Sequence, residues 1–255
     1  MSTQVFTPKP FELELSRYAA RRAHALYFGD PPPFSPSSFM RSATVTLLRF
    51  GKLSIGITCQ HVLKRYREVK KHNPNTIFQI GSIRFNPVEY LISEDSELDL
   101  AAFDLSDFAG SANGLPESWF IEPTTWPPER VSENDILCLA GFPGIWRDKV
   151  ALNELRFHSF SSGATFVHDA SDNRFIIQIH SDEEIVTINK GLTLGSLGGL
   201  SGGPVFCWRT GGILRAELVG FVLRYAEQMD VMFVRAARVL NQDGTLNRIE
   251  TALWM

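Results

Sequence analysis

The sequence predicts an all-β fold of short strands arranged as a barrel or a sandwich. From Ser42 onward, short runs rich in Val, Ile, Leu and Phe are separated by Gly, Pro, Asn and Asp, which is the pattern of strands joined by turns. A Pro-rich stretch without periodicity, about residues 111–131, divides these runs into a front and a back group. With 255 residues, 44% of them hydrophobic, the chain is long enough for one large domain or two small packed units.

The segment that precedes the strands is predicted to be helical. Residues 9–28 contain good helix formers, and the following GDPPPFSPSS is predicted to be an extended connector because Pro interrupts regular structure. Residues 1–41 are therefore expected to form an N-terminal extension, which could recruit a regulatory protein partner.

The predicted strands follow in chain order. They are ATVTLLRF, KLSIGIT, TIFQIGSIRF, LDLAAFDL, DILCLAGF, LRFHSF, RFIIQIH, PVFCWR, AELVGFVLRY and DVMFVRAARVL. The chain end returns to helical spacing, with four apolar residues able to share one face: Leu246, Ile249, Leu253 and Trp254. The first strand group covers about residues 42–110, and the second, with this C-terminal helix, covers about residues 132–255.

Composition and charge exclude several kinds of partner. The formal net charge of -3 provides no basic field for a phosphate backbone, so no nucleic-acid partner is expected. No apolar run approaches the roughly 18 residues of a membrane span, so no membrane association is expected. The N-terminus has no apolar run after a basic start, which argues against a secretory signal. Three widely spaced cysteines, Cys59, Cys138 and Cys207, are typical of free thiols in a reducing compartment, and we expect a cytoplasmic protein. No metal or other cofactor is expected, because no ligand set recurs at metal-binding spacing.

The stretch GGLSGGPVF, residues 198–206, surrounds Ser201 with glycines. Its G-x-S-x-G pattern also occurs in the nucleophile elbow of α/β-hydrolases, which requires a strand-to-helix turn and a histidine later in the chain. Here a strand-like PVFCW follows the serine, and all six histidines precede it. The elbow interpretation is therefore excluded.

A second interpretation assigns the glycines to acyl-transfer chemistry. A serine that attacks a carbonyl leaves negative charge on the substrate oxygen, and backbone N–H groups must reach that oxygen without side chains in the way. The N–H groups of Gly199 and Ser201 are then the candidate oxyanion hole. The alternative is a glycine-rich turn with an incidental serine.

A catalytic serine requires a histidine base and a carboxylate that orients the histidine. His61 comes soon after a strand-like run, and Asp99 lies between two leucines, where burial of a carboxylate is costly unless an imidazole N–H donates to it. Asp95 and Asp104 are alternative orienting acids. Cys59, two residues before His61, suggests a Cys–His nucleophile, but its place in a strand favours a small buried group.

In this order, ITCQHVL, LDLAAF and GLSGGPVF resemble the three active-site blocks of the trypsin/chymotrypsin-like serine peptidases. The resemblance covers about residues 42–255 and implies two packed six-stranded antiparallel β-barrels with the site between them. It implies that His61 is general base and then general acid, that Asp99 orients its imidazole, and that Ser201 is the nucleophile that forms an acyl-enzyme. It also implies a protein or peptide substrate.

The chain departs from the secreted members of that family at two positions. Leu200 replaces the aspartate that captures a freed N-terminus on activation, so the oxyanion turn must be set by packing or by a ligand. Val62 replaces the cysteine that usually follows the histidine. Both departures fit a cysteine-poor intracellular enzyme of bacterial type.

The sequence predicts less about substrate specificity than about the catalytic residues. By the resemblance, one wall of the substrate pocket is residues 193–198, with Gly195 or Ser196 at its base. The opposite wall is formed by Leu223, Arg224 and Tyr225. No acid stands at the base, so a preference for Lys or Arg is not expected. Arg224 favours an acidic residue if it turns inward, and it leaves an apolar or small pocket if it turns outward.

Two function classes follow from the sequence. The first is a serine endopeptidase, favoured because His61, Asp99 and Ser201 are all present within their motifs. The second is a catalytically latent or inactive protein of the same fold, acting as a peptide-binding sensor or a partner-regulated effector. Leu200 and the N-terminal extension, which could cover the cleft, favour the second class.

Overall fold

The structure is a computed structural model that describes residues 10–133, 135–178, 197–210, 214–229 and 231–248. Two strand-built units follow one another along the chain, a seven-stranded antiparallel sheet and a closed six-stranded antiparallel barrel. Between Asp104 and Ile136 the described residues form turns and loops but no strand, as the Pro-rich stretch predicts. The predicted all-β architecture of two barrel-like units is confirmed.

The first unit is a curled sheet with one helix packed against it. Its strands are β1 (Ala23–Gly29), β2 (Met40–Phe50), β3 (Leu53–Thr58), β4 (Ile77–Ile80), β5 (Ile83–Arg84), β6 (Leu91–Asp95) and β7 (Leu100–Asp104). Their order across the sheet is β5-β4-β1-β2-β3-β7-β6. Between β3 and β4, helix α2 (Gln60–His72) buries Val62, Leu63 and Tyr66 against this sheet. The sequence analysis missed α2, because Lys, Arg and Glu fill most of its surface and leave a narrow apolar stripe.

The second unit is a closed barrel with one appended hairpin. The barrel strands are β8 (Ile136–Gly141), β11 (Phe160–Ala170), β12 (Arg174–Gln178), β13 (Pro204–Thr210), β14 (Leu214–Ala226) and β15 (Val231–Ala236). They close in the order β11-β12-β15-β14-β13-β8. The hairpin between β8 and β11 consists of β9 (Arg147–Ala151) and β10 (Glu154–Phe157). Short 3-10 turns occur at Ser106–Phe108, Glu117–Trp119, Gly144–Trp146, Glu227–Met229 and Ala237–Val239.

The N-terminal segment differs from its prediction. Helix α1 covers only Pro10–Ala20, and Ala23–Gly29, predicted as part of the same helix, is strand β1. This strand pairs with β2 on one side and β4 on the other, so its backbone bonds and its burial override the helix propensity of AHALYF. The first sheet therefore begins at Ala23 rather than at Ser42, and it has seven strands rather than the six implied by the resemblance.

Helix α1 joins the segment before β1 to the second barrel. Leu15 and Ala19 are buried in a core cluster that also contains Ile57 of the first sheet and Phe206 of the barrel. The Ser16 hydroxyl is 2.6 Å from the hydroxyl of Ser161 on β11. The described part of the expected extension is thus built into both units.

The predicted C-terminal helix falls mostly outside the described residues. Leu246 forms an isolated bridge with Leu240, and residues 241–248 are turns and extended chain. The remaining residues of the predicted helix, Ile249, Leu253 and Trp254, lie beyond the described range. Among the described residues, no helix is long and apolar enough to cross a membrane.

One histidine is buried at the edge of this fold. His24 on β1 stacks on Trp119, with ring centroids 4.4 Å apart, and its Nε2 donates to the Trp119 carbonyl at 3.2 Å. Burial lowers the pKa of His24 from 6.5 to about 4. The ring is therefore neutral in the folded protein at neutral pH.

Mild acid is expected to destabilise the protein through His24. Because its pKa is lower in the folded chain than in the unfolded chain, the stability present above about pH 6.5 is lost as the pH falls toward about 4. Between pH 7 and pH 5 this group should remove about 2 kcal/mol from the free energy of unfolding. Urea denaturation of wild type and His24→Phe should show their stability difference changing by that amount, with exposed His72→Phe as control. A difference that does not depend on pH contradicts this origin.

Candidate active site

His61 is held at the start of helix α2. Strand β3 ends at Thr58, Cys59 is the N-cap residue, and the helix begins at Gln60. The Cys59 side chain makes no cap hydrogen bond. Helix N-termini leave backbone N–H groups without intrahelical partners, so a group outside the helix has to accept them.

Asp99 supplies that cap and binds the histidine ring as well. Its backbone carbonyl accepts the Gln60 N–H at 3.2 Å, and its Oδ1 accepts the His61 N–H at 3.0 Å. The His61 Nδ1 lies 2.8 Å from Asp99 Oδ2 and 3.1 Å from Oδ1. Since a carboxylate accepts, Nδ1 carries the donated proton, and Nε2 is left as the basic nitrogen of the neutral ring. One aspartate therefore fixes both the helix start and the ring.

Asp99 itself occupies a strained turn between β6 and β7. Its φ of 54° is the one positive value among the described non-glycine residues. Asp and Asn tolerate this left-handed conformation better than other side chains, and strain of this kind often accompanies function. The two alternative acids have other partners: Asp95 accepts from Arg248 and two backbone N–H groups, and Asp104 accepts the Ser106 N–H.

Ser201 lies in the turn before β13, and this turn packs directly on the first sheet. The Thr44 hydroxyl donates to the Gly199 carbonyl at 2.8 Å, and the Thr44 N–H donates to the Ser201 carbonyl at 3.0 Å. The Thr46 hydroxyl donates to the Gly202 carbonyl at 2.8 Å. Each of these bonds joins a residue of β2 to a residue of the serine turn.

Glycine is required in this turn for steric reasons. Gly202 has a φ of +90°, and a Cβ there would lie 2.2 Å from the Thr44 carbonyl oxygen and 2.8 Å from Thr58 Cα. Gly199 has a φ of +108°, and a Cβ there would lie 2.6 Å from the Phe142 carbonyl oxygen. The glycines thus let the turn approach two neighbouring backbone segments.

The oxyanion hole is predicted from two backbone N–H groups of the serine turn. Among the described residues, neither the Gly199 N–H nor the Ser201 N–H donates to any acceptor. The Gly198 carbonyl accepts the Gly144 N–H at 2.7 Å, which fixes the peptide before Gly199. Most backbone N–H groups in folded proteins are paired, so two free donors on one tight turn are available to a ligand oxygen.

The Ser201 hydroxyl is bonded to a backbone carbonyl. It donates to the carbonyl of Leu223 on β14 at 2.8 Å, and within the described range no hydrogen bond joins Ser201 to His61. The Cys59 Sγ shares this region, because it lies 3.9 Å from the same carbonyl and two residues before His61. The serine, the thiol and the start of helix α2 are therefore neighbours, although the serine–base bond is unmade.

Cys59 is a buried thiol. It is fully buried and its Sγ donates to the Val222 carbonyl at 3.3 Å. Burial, with a smaller contribution from the Asp99 charge, raises its pKa well above the ordinary value, so it stays protonated. Cys59, His61 and Asp99 offer ligand atoms within 4.8 Å of one another, but hydrogen bonds already engage all three.

Packing holds the residue that precedes the serine. Leu200 is 1% exposed in the core cluster of the second barrel, which includes Trp146 and Leu197. Its side chain approaches Gly141 so closely that a Cβ on Gly141 would lie 2.7 Å from it. Apolar burial of Leu200 therefore anchors the turn.

A small cavity of about 140 Å³ opens beside Ser201. It is lined by Leu197, Gly198, Leu200, Ser201, Arg224, Tyr225 and Glu227. Arg224 and Tyr225 of the predicted pocket wall line this cavity, and Leu223 contributes its carbonyl to Ser201. The exposed Arg224 guanidinium stacks 4.6 Å from the Phe233 ring centroid. Gly195, Ser196 and the rest of the predicted wall at 193–196 lie outside the described residues.

The sequence analysis did not identify three groups that shape the site. Thr44 and Thr46 are ordinary strand residues until the serine turn is placed against them. Glu227, at the cavity wall, follows β14 in a 3-10 turn and carries no motif. Only the strand pairing and the contact between the two units bring these residues to the site.

Comparisons with known proteins return similarities of structure only. No family model and no curated protein matches the sequence. The active form of the Rv3671c protease from M. tuberculosis is similar with a TM-score of 0.43 and 14% identity, over 93% of this chain and 87% of that one. The scabies mite inactivated protease paralogue S-I1 is similar with a TM-score of 0.45 and 11% identity, over 92% of this chain and 95% of that one.

Substitution of Gly202 tests the close approach of the serine turn to the first sheet. Gly51→Ala, at a φ of +61° with no atom within 4 Å of the added Cβ, is expected to cost only the conformational strain, about 1–2 kcal/mol. Gly202→Ala adds steric overlap with Thr44 and Thr58. It should lower the free energy of unfolding by roughly a further 1–3 kcal/mol or prevent folding. Urea denaturation measures both losses. Equal losses for the two variants contradict the steric role.

Proposed function

We propose that the protein is a serine endopeptidase that hydrolyses peptide bonds through His61, Asp99 and Ser201 and an acyl-enzyme intermediate. The observation that carries the proposal is the Asp99–His61 hydrogen bond, which fixes the ring tautomer a general base needs. The second support is the Gly-framed serine turn, whose Gly199 and Ser201 N–H groups meet no acceptor in the part of the chain that the structure describes.

In the proposed reaction, His61 Nε2 takes the proton of the Ser201 hydroxyl as Oγ attacks the substrate carbonyl. Asp99 then stabilises the imidazolium through the bond to Nδ1, and His61 returns the proton to the leaving amine. Water repeats the sequence to release the acyl group. Half of the His61 side chain is exposed, so Nε2 can be reached from the cleft.

The first step requires the Ser201 hydroxyl to change its acceptor. It must leave the Leu223 carbonyl and donate to His61 Nε2 instead. Catalytic hydrogen bonds are often unmade before substrate binds, so the bond to Leu223 is compatible with activity. A substrate that occupies the cleft and pairs with the Leu223 carbonyl would free the hydroxyl.

The Gly199 and Ser201 N–H groups are proposed to stabilise the oxyanion. Loss of one such donor costs about 10²–10³ in rate in serine proteases, so a preformed pair contributes several kcal/mol to the lowering of the barrier. Burial of Leu200 supports a turn that is formed before substrate arrives. No proteolytic release of an N-terminus is needed on this account.

The substrate is proposed to be a protein or peptide, bound in the cleft between the two units. Arg224, on the ring of Phe233, and Glu227 both line the cavity beside Ser201, so charges of both signs border it. We place the enzyme in the cytoplasm, because all three cysteines are free and buried.

Cleavage of a peptide mixture by the purified protein tests the proposal. Mass spectrometry of new N-termini should show wild-type cleavage that falls by about six orders of magnitude in Ser201→Ala or His61→Ala, since the triad acts as a unit. Asp99→Asn should reduce kcat by about 10⁴, because Nδ1 loses the carboxylate that fixes its proton. Exposed Ser111→Ala is the matched control and should cleave like wild type. Wild-type rates in Ser201→Ala contradict the assignment.

A second candidate is a latent protein of this fold that binds peptides without cleaving them. The Ser201–Leu223 hydrogen bond favours it, because the nucleophile's hydroxyl proton is donated to a backbone carbonyl and not to the base. On this alternative, folded wild type leaves the mixture intact, whereas wild type and Ser201→Ala retain the same peptides with equal affinity. Cleavage that depends on Ser201 excludes this alternative.

A further inference from the structure

A buried arginine of the second barrel bonds the loop that carries Asp99. Arg235, on β15, is 8% exposed. Its Nε donates to the Leu98 carbonyl at 2.7 Å and its Nη2 to the Glu97 carbonyl at 2.9 Å. Its Nη1 donates to the Asn173 carbonyl, in the turn between β11 and β12, at 3.3 Å. One guanidinium thus joins the second barrel to the two residues that precede Asp99.

Burial of the Arg235 guanidinium costs free energy, and a role in positioning the loop accounts for that cost. Burial of the guanidinium lowers the pKa of Arg235, and the negative charge of Asp99 acts against that lowering. Within the described residues, its hydrogen bonds go to carbonyls and none goes to a carboxylate. Three carbonyls in fixed directions match the rigid fork of an arginine, which a lysine ammonium cannot reproduce.

The loop needs such a restraint because Asp99 is strained. A non-glycine residue with a φ of 54° persists where its surroundings fix it, and the bonds to the carbonyls of residues 97 and 98 act directly before it. A displacement of Asp99 would move the acceptor of both the His61 ring and the His61 N–H. The geometry of the base therefore depends on the opposite unit.

We propose that Arg235 is a positioning residue that holds Asp99 in register with His61 from across the cleft. The inference rests on the proposed function for its kinetic consequence, but the hydrogen bond it protects can be observed without any substrate. On this proposal, the position of Asp99 requires both units. Strand β15, which carries Arg235, belongs to the second barrel, whereas β7, which follows Asp99, belongs to the first sheet.

The deciding variant is Arg235→Lys, which keeps the charge and most of the buried volume. It should remain folded, with kcat lowered about tenfold to a hundredfold and KM changed less than about twofold, because misplacement of a catalytic group by about 1 Å costs about 10²-fold. Arg238→Lys is the matched control, three residues further on and paired with Asp172, and it should match wild type. Arg235→Met should lower kcat at least as much as the lysine variant does.

A proton NMR spectrum of the His61 Nδ1–H separates this inference from the proposed function. In wild type and Arg238→Lys, its hydrogen bond to Asp99 should give a resonance far downfield, which should be lost or broadened in Arg235→Lys. If wild type cleaves nothing but the resonance behaves this way, the positioning role holds and the proposed function fails. A folded Arg235→Lys that keeps both the resonance and the wild-type kcat overturns the inference, whether or not Arg235→Met folds.

Discussion

The hydrogen bonds between the serine turn and strand β2 are the interaction on which the site depends. Three carbonyls of the turn, at Gly199, Ser201 and Gly202, accept from the Thr44 hydroxyl, the Thr44 N–H and the Thr46 hydroxyl. This contact is close enough to exclude a Cβ at Gly202. It explains why glycines surround this one hydroxyl: the turn lies against another sheet, while the Gly199 and Ser201 N–H groups have no acceptor among the described residues.

Each of the two units contributes some of the groups of the candidate site. The first sheet presents His61 and Asp99, and the second barrel presents Ser201 together with the Leu223 carbonyl. Asp99 caps the helix that begins at Gln60 and also binds the His61 ring, so one residue fixes both the ring and the helix start. Together with the contacts of Arg235, these bonds make the geometry of the site a property of the contact between the units.

Local patterns in the sequence predicted most of the strands and the residues of the candidate site. Strands with clear alternation or buried runs, such as β3, β8 and β14, were predicted at nearly their observed bounds. Strand β1 was not, because AHALYF suits a helix and becomes a strand only through its two neighbours. Helix α2 was missed for its narrow apolar stripe. The residues that position the site, such as Thr44, Thr46 and Arg235, could not be predicted from the sequence, because their hydrogen-bond partners lie far away along the chain.

Within the site, the sequence pointed to the aspartate that binds His61, but it did not predict the backbone conformation of that residue. Asp99 was preferred to Asp95 and Asp104 from its apolar neighbours, and the structure gives those two other partners. The strained backbone of Asp99 and the Ser201 rotamer follow from tertiary contacts that no motif encodes. The departure at Leu200 was visible in the sequence, and its burial in the barrel core explains how the turn is held without a salt bridge.

The most direct test of an activated serine is the intact mass of the purified protein after exposure to a small fluorophosphonate. Such a reagent reacts with a serine that has a working base and an oxyanion site, and it needs no knowledge of the substrate. The account predicts one adduct on wild type, none on Ser201→Ala, and an adduct on Ser111→Ala equal to wild type. A folded wild type that stays unmodified, or an adduct that persists in Ser201→Ala, would contradict it.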